Sequence, residues 1–237
     1  MDPQLYMWSP VRRNILERHD TYVEAVLTRV ISQFRDIDGE AERYADATWQ
    51  ALTDRPVQQD EDVDMGALAE QAQDAGLAKY ETLSFLKREM LLGSPAGLYH
   101  IWDRSLRDFL AREFRHWMKP EYVDRYAWHS DFNRIMTCLR ESGWDVTAEP
   151  FFKDLDACRL VVNVYKHGKG KSLDDLVARY PHFMRYHAQP DLSFLARHPD
   201  HEDLELTERQ FRDIASSLRT FWTAFPEAAA AVSGAES

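Results

Sequence analysis

The stretch Phe151-Phe152-Lys153-Asp154-Leu155-Asp156-Ala157-Cys158-Arg159-Leu160-Val161-Val162-Asn163-Val164-Tyr165-Lys166-His167-Gly168 decides how this chain folds. Glu149-Pro150 precedes it and Gly168 closes it, the residue types that open and end a helix. At about 100° per residue, with Arg159 set at zero, Lys166 falls near about −20°, Asn163 near about 40°, Asp156 near about 60° and His167 near about 80°. Those five polar groups form one stripe. The remaining wheel positions, Ala157, Cys158, Leu160, Val161, Val162, Val164 and Tyr165, make an apolar arc of roughly 200°, wider than surface helices carry. The spacing therefore predicts a largely buried helix with one polar seam.

The same helical periodicity extends outward in both directions. Thr207-Glu208-Arg209-Gln210 has the form of a capping box, and Phe211, Ile214, Leu218, Phe221, Trp222 and Phe225 follow at helical spacing. Ser172 to Tyr180 reads as a short helix stopped by Pro181, and Asp131 to Glu141 as one closed by Gly143. Trp102, Leu106, Phe109, Leu110 and Trp117 mark a core face on a helix from Ala96 to Met118. It is expected to start afresh after a stop at Gly93-Ser94-Pro95, which ends a helix from Met65 to Leu92. A first helical stretch runs from Val11 to Leu52, with a break near Asp36-Ile37-Asp38-Gly39. With 9 Gly and 10 Pro in 237 residues and few period-two runs, the turn density of a sandwich or barrel is missing. The expected fold is all-α, an up-and-down helical bundle over residues 65–226. Residues 1–54 are expected to form an N-terminal helical arm, 55–64 an acidic linker and 227–237 a flexible tail.

Composition excludes several classes. Hydrophobic residues at 44% and charged residues at 29% are globular values. No apolar run approaches the roughly 20 residues of a membrane span, so no membrane is expected. The N-terminus lacks the basic and apolar segments of a signal peptide. The two cysteines, Cys138 and Cys158, have no neighbouring Cys, which argues against a disulfide framework and a CxxC metal site and fits a cytoplasmic protein. With 29 Lys and Arg against 40 Asp and Glu, the net charge of −11 repels nucleic acid unless positive charge is gathered locally. Lys166-His167-Gly168-Lys169-Gly170-Lys171 is such a gathering.

A buried helix that keeps Arg159, Asn163, Lys166 and His167 in line must set them against water, partner carboxylates or a second subunit. One account is a structural network: Arg159 pairs an acid such as Asp103 or Glu81, while Lys166 and His167 cap the helix dipole. The other is chemistry on phosphate. Arginine offers a planar fork, histidine exchanges protons near neutral pH, and lysine stabilises a pentacoordinate phosphorus. RNA carries its own nucleophile, the 2′-hydroxyl, so its cleavage needs no metal.

The segment Arg159 to Gly168 resembles the helix of the HEPN (higher eukaryote and prokaryote nucleotide-binding) family that carries an Arg…His motif with a polar residue between. Seven residues separate Arg159 and His167 here, where the family usually has four to six. The resemblance implies a metal-independent endoribonuclease without cofactors. It acts as a homodimer on RNA at a composite cleft, in a toxin or defence setting with an antitoxin or other defence-system partner protein. It makes Arg159 and His167 the catalytic pair, with Asn163 between them. Lys166, Lys169 and Lys171 are the expected substrate-binding residues, with Asp103 and Asp156 supporting. The competing class is a non-catalytic helical module that binds nucleotide or another protein through the same seam.

Other motifs weigh less. Gly168-Lys169-Gly170-Lys171-Ser172 has a tyrosine, Tyr165, where a phosphate loop needs glycine, and it follows a helix rather than a strand. His198-Pro199-Asp200-His201 matches no zinc spacing and reads as a surface loop, as do His182 and His187. Arg112, Arg115 and His116 read as surface charges.

Overall fold

The structure, a computed structural model, describes residues 4–54, 63–188 and 198–230. The protein is an all-α helical bundle, as its periodicity predicts. Its helices are α1 (Ser9–Ala25), α2 (Ile37–Thr53), α3 (Met65–Phe114), α4 (Pro120–Ala127), α5 (Phe132–Glu141), α6 (Phe152–His167), α7 (Lys171–Arg179), α8 (Arg185–Ala188) and α9 (Glu208–Ala224). Two short strands, β1 (Gln4–Tyr6) and β2 (Ala228–Ala230), pair antiparallel with Leu5 opposite Ala229.

The chain forms two compact units, Met1–Glu24 with Leu92–Ser237, and Ala25–Leu91. In the larger unit α6 lies at the centre. Leu155, Ala157, Cys158, Leu160, Val161, Val162 and Val164 are all buried, and each Val or Leu so covered contributes roughly 1.5–3 kcal/mol. This burial holds a valine-rich segment helical, although β-branched side chains favour helices only weakly. Packed on α6 are α7, through Leu173 and Leu176, and α9, whose first turn carries the expected capping box between Thr207 and Gln210. Aromatic edges join α9 to α3. Trp102 meets Phe221 at 5.0 Å and Phe109 meets Phe225 at 5.1 Å between ring centroids. The Ser217 hydroxyl of α9 donates to the Phe151 carbonyl at 2.9 Å, fixing the start of α6.

Three expectations are corrected here. Pro95 does not divide α3, which runs through it. Proline removes one helical hydrogen bond, but Leu92, Ser94, Ala96, Leu98 and Tyr99 are buried on both sides of it and hold the backbone helical. The helix ends instead at Phe114, so Trp117 leaves the core stripe and packs edge-on against Phe114 at 5.2 Å. Tyr165, placed on the apolar arc of the Phe151–Gly168 helix, is exposed, and Pro120 sits in the first turn of α4, where its missing N–H costs nothing.

The ends of the chain also differ from expectation. Residues up to Glu24 belong to the larger unit rather than to a separate arm. Arg12 donates to the Phe225 carbonyl at 2.6 Å, the Tyr6 amide donates to Glu113 at 3.0 Å, and Arg219 donates twice to Asp20 at 2.9 and 3.1 Å. The three residues of β2 fall in the stretch read as a flexible tail, yet Leu5 and Ala229 are buried together in the ribbon. The rest of that tail beyond residue 230 and the acidic linker over 55–62 lie outside the described residues.

The smaller unit holds α2 and the first part of α3. Gly76 allows their close approach, since a Cβ there would stand 2.9 Å from the Ala45 Cβ and 3.2 Å from the Ala41 carbonyl oxygen. A π-helical turn at Val26–Val30 and a 3-10 turn at Ile31–Phe34 precede α2, and the expected break falls there.

Gly143 follows α5 at φ 92°, where L side chains are strained, and a Cβ on it would run into the Ala230 carbonyl of β2. The Gly143→Ala variant is expected to lose about 2 kcal/mol or more, a fall in Tm of roughly 4–8 °C in a thermal melt. An unchanged Tm would show that the ribbon does not rest on this turn.

Candidate functional site

The polar seam of α6 splits into two sites with different partners. Near its start lies Asp156, its side chain only 7% exposed. Arg159 donates to its Oδ1 from Nε at 3.1 Å and from Nη2 at 2.7 Å. Arg179, at the end of α7, donates to Oδ2 at 2.5 Å, and the Tyr180 hydroxyl donates to the same oxygen at 3.1 Å. Burial, and then the neighbouring Asp156 carboxylate, push the Tyr180 hydroxyl up to about 12, so it stays a donor at neutral pH. The Arg159 guanidinium also lies over the Phe132 ring, 5.0 Å from its centroid. Its side chain is 20% exposed.

The other end of α6 is open and cationic. Tyr165, Lys166 and His167 are exposed, and among the described residues His167 makes no hydrogen bond or ion pair. Lys166 Nζ lies 3.1 Å from His100 Nε2, an ammonium against an imidazole nitrogen. Partial burial and then the Lys166 charge hold His100 below its usual range, which suits it to accept from the lysine. Gly168 turns the chain at φ 71° and donates to the Val164 carbonyl at 2.8 Å. Beyond it, Lys169 Nζ pairs with Asp200 Oδ2 at 2.5 Å, and the other oxygen of Asp200 stands 2.5 Å from His201 Nδ1. The hydrogen bond from Lys169 is the main cause that lowers Asp200 to about 2. Lys171 opens α7 and is exposed.

The sequence-predicted residues thus fall in three places. Arg159 and Asp156 are brought together. Lys166, His167, Lys169 and Lys171 share the far end of α6, about 12 Å along the axis from Arg159 at 1.5 Å per residue. Asn163 lies half-buried between the two. Asp103 bonds elsewhere: its carboxylate accepts from Arg107 Nε at 2.8 Å, an i,i+4 partner on its own helix, while its charge acts on His100 beside Lys166. Arg107 is fully engaged besides, donating to the carbonyls of Ala127, Trp128 and Ser130 at the end of α4. The partner of Arg159 is therefore Asp156, three residues earlier on α6, and not Asp103.

Sequence reasoning missed Arg179 and Tyr180, which reach Asp156 from more than twenty residues away, and His100, which reaches Lys166 from another helix. It set Asp200 and His201 aside as loop residues, although Lys169 ties them to the turn after α6. Neither thiol offers a nucleophile at neutral pH, because burial raises Cys138 to about 11 and Cys158 further still. Both cysteines are free. Among the described residues no group of three or more His, Cys, Asp or Glu is placed to hold a metal ion, and no helix is long and apolar enough to cross a membrane. A cleft of about 760 Å³ lies at the ends of α3 and α4 against α5, lined by Phe114, Trp117, Tyr126, Arg134, Cys138 and Glu141 among others, and it includes none of the seam residues. No protein-family model matches the chain, and neither a curated protein nor a solved structure matches it.

Removing the carboxylate of Asp156 leaves two guanidinium groups without their counter-charge. Asp156→Ala is expected to cost about 3–5 kcal/mol in urea unfolding. A loss below about 1 kcal/mol would mean that water replaces the carboxylate and that the pairing does not hold α6 to α7.

Proposed function

We propose that the exposed end of α6 binds the RNA backbone and cleaves it without a metal. In this chemistry the 2′-hydroxyl attacks the adjacent phosphorus and His167 moves its proton. One observation carries this proposal: in a chain of net charge −11, Lys166, His167, Lys169 and Lys171 converge at one helix end, and His167 is exposed without a carboxylate partner among the described residues. Local positive charge of that kind attracts phosphate where the rest of the surface repels it. An exposed imidazole is the ordinary group for proton transfer at neutral pH.

Arg159 has a different task here from that of the phosphate clamp implied by the HEPN resemblance. With Nε and Nη2 committed to Asp156 on its own helix, it shares the carboxylate that ties α6 to the end of α7. The wider proposal retains what the resemblance implies of the setting. The chain pairs with a second copy of itself, so that two such helices serve one RNA-binding cleft, and it acts in the cytoplasm as a toxin or defence component restrained by a partner protein.

A second account is favoured by that same commitment of Arg159: the bundle binds RNA or nucleotide at the α6 end and performs no chemistry. Incubation of labelled RNA with the purified protein in excess chelator separates the two. Cleavage is expected to persist in chelator. His167→Ala is expected to slow it by roughly two orders of magnitude or more with an unchanged Tm, and the double variant Lys166→Ala with Lys171→Ala to weaken RNA binding, reducing the salt slope of log affinity by about 1.4. Binding without cleavage by the wild type supports the second account, and an unaffected rate in His167→Ala removes His167 from the chemistry.

A further inference from the structure

Cleavage through the 2′-hydroxyl moves two protons. One leaves the 2′-oxygen as it attacks, and one must reach the 5′-oxygen as it departs, because an alkoxide is a poor leaving group. The two transfers occur on opposite sides of phosphorus, since attacking and leaving oxygens stand roughly in line. His167 supplies one proton-transfer group. Its neighbour in space at this end of α6 is His201, a residue of the segment before α9.

The His201 ring lies against Gly168, the residue next to His167. A Cβ at Gly168 would stand 3.3 Å from His201 Cδ2 and 3.5 Å from its Nε2. Consecutive Cα atoms are about 3.8 Å apart, so the His201 ring packs beside the backbone of the residue that follows His167. Asp200 stands against the His201 ring. Its Oδ1 is 2.5 Å from Nδ1, while Oδ2 is held by Lys169, itself in the turn after His167. Nδ1 is buried and makes no hydrogen bond among the described residues, its contact with Asp200 being an ion pair, while the His201 side chain as a whole is 40% exposed. An ion-paired carboxylate beside one ring nitrogen leaves the other nitrogen to face a substrate.

We propose that His201, positioned by Asp200, is the second catalytic residue of this site and donates the proton to the leaving 5′-oxygen. This inference rests on the ribonuclease function proposed above. His167 takes the proton of the 2′-hydroxyl while the 2′-oxygen bonds to phosphorus. The bond from phosphorus to the 5′-oxygen breaks, and that oxygen leaves with the proton of His201. The products are a 2′,3′-cyclic phosphate and a 5′-hydroxyl end. The two rings have exchanged protonation states, and no metal, oxidant or further reactant is consumed. Asp200 is a positioning residue, and Lys169 links it to the turn that carries the phosphate.

Two substrates test the assignment in the full-length protein. One is an RNA oligonucleotide, whose 5′-oxygen needs a proton to leave. The other is uridine 3′-(4-nitrophenyl phosphate), whose leaving group departs as a stable anion. His201→Ala is expected to slow RNA cleavage about 100-fold or more and nitrophenol release less than about threefold, whereas His167→Ala slows both about 100-fold or more. Asp200→Asn is expected to follow His201→Ala in this split between substrates, which a merely structural role would not produce. His201→Gln, closer in shape to the native ring, guards against a folding effect and is expected to behave as His201→Ala does. RNA cleavage within threefold of wild type in both His201 variants overturns the proposal, and so does an equal loss on the two substrates. Failure of the wild type to cleave either substrate overturns the ribonuclease function itself, and the role of His201 with it.

Discussion

A carboxylate placed on a helix that is apolar over most of its circumference costs several kcal/mol unless it is paired, and Asp156 is paired three times over. Arg159 takes one oxygen; Arg179 and Tyr180 take the other. Because Arg179 and Tyr180 stand at the far end of α7, these bonds close a loop in the chain. The helix α6, the turn Gly168 to Gly170 and α7 are held at both ends rather than at the turn alone. That turn is where Lys166, His167, Lys169 and Lys171 are displayed. The geometry of the cationic end thus depends on a charge pair one helix length away from it.

The same pairing changes the chemistry to be expected of the seam. A guanidinium that already spends two of its donors on a buried carboxylate has little left for a transferring phosphate, and leaving that carboxylate unpaired would carry the full burial cost. His167 carries no such commitment. Separation of the two residues by about two turns of helix makes each end of α6 serve a different purpose, cohesion at the start and display at the close. Lys169 continues the pattern by bonding Asp200, and the His201 ring beside that carboxylate packs on Gly168.

Much of this architecture was legible in the residues themselves. Asp131, Thr207 and Gly168 set helix boundaries where capping chemistry requires them, and the buried arc of α6 followed from six of the seven apolar side chains on one wheel, Tyr165 being exposed. Pro95 misled because propensity is local, whereas the burial that carries a helix through a proline is tertiary. Asp156 was legible as a polar member of the seam, but its role was not. An i−3 acid beside an arginine is common on helices, and nothing in the sequence joins it to Arg179 and Tyr180 across the α6–α7 turn. Asp103 misled for the reverse reason, since Arg107, four residues on along the same helix, claims that carboxylate. The pairing of Ala228–Ala230 with Gln4–Tyr6 joins opposite ends of the chain, and an alanine run carries no strand signal of its own.

The central claim is that phosphate chemistry belongs to the closing end of α6 and not to Arg159. Backbone amide spectra of the full chain, recorded while a 2′-O-methyl RNA oligonucleotide that cannot be cleaved is added, test it most directly. The account predicts saturable shifts at Lys166 to Lys171 and at Asp200 and His201, with Asp156, Arg159 and Arg179 unmoved. Shifts centred on Arg159 and Phe132, or the absence of any shift at the Gly168 turn, would contradict it.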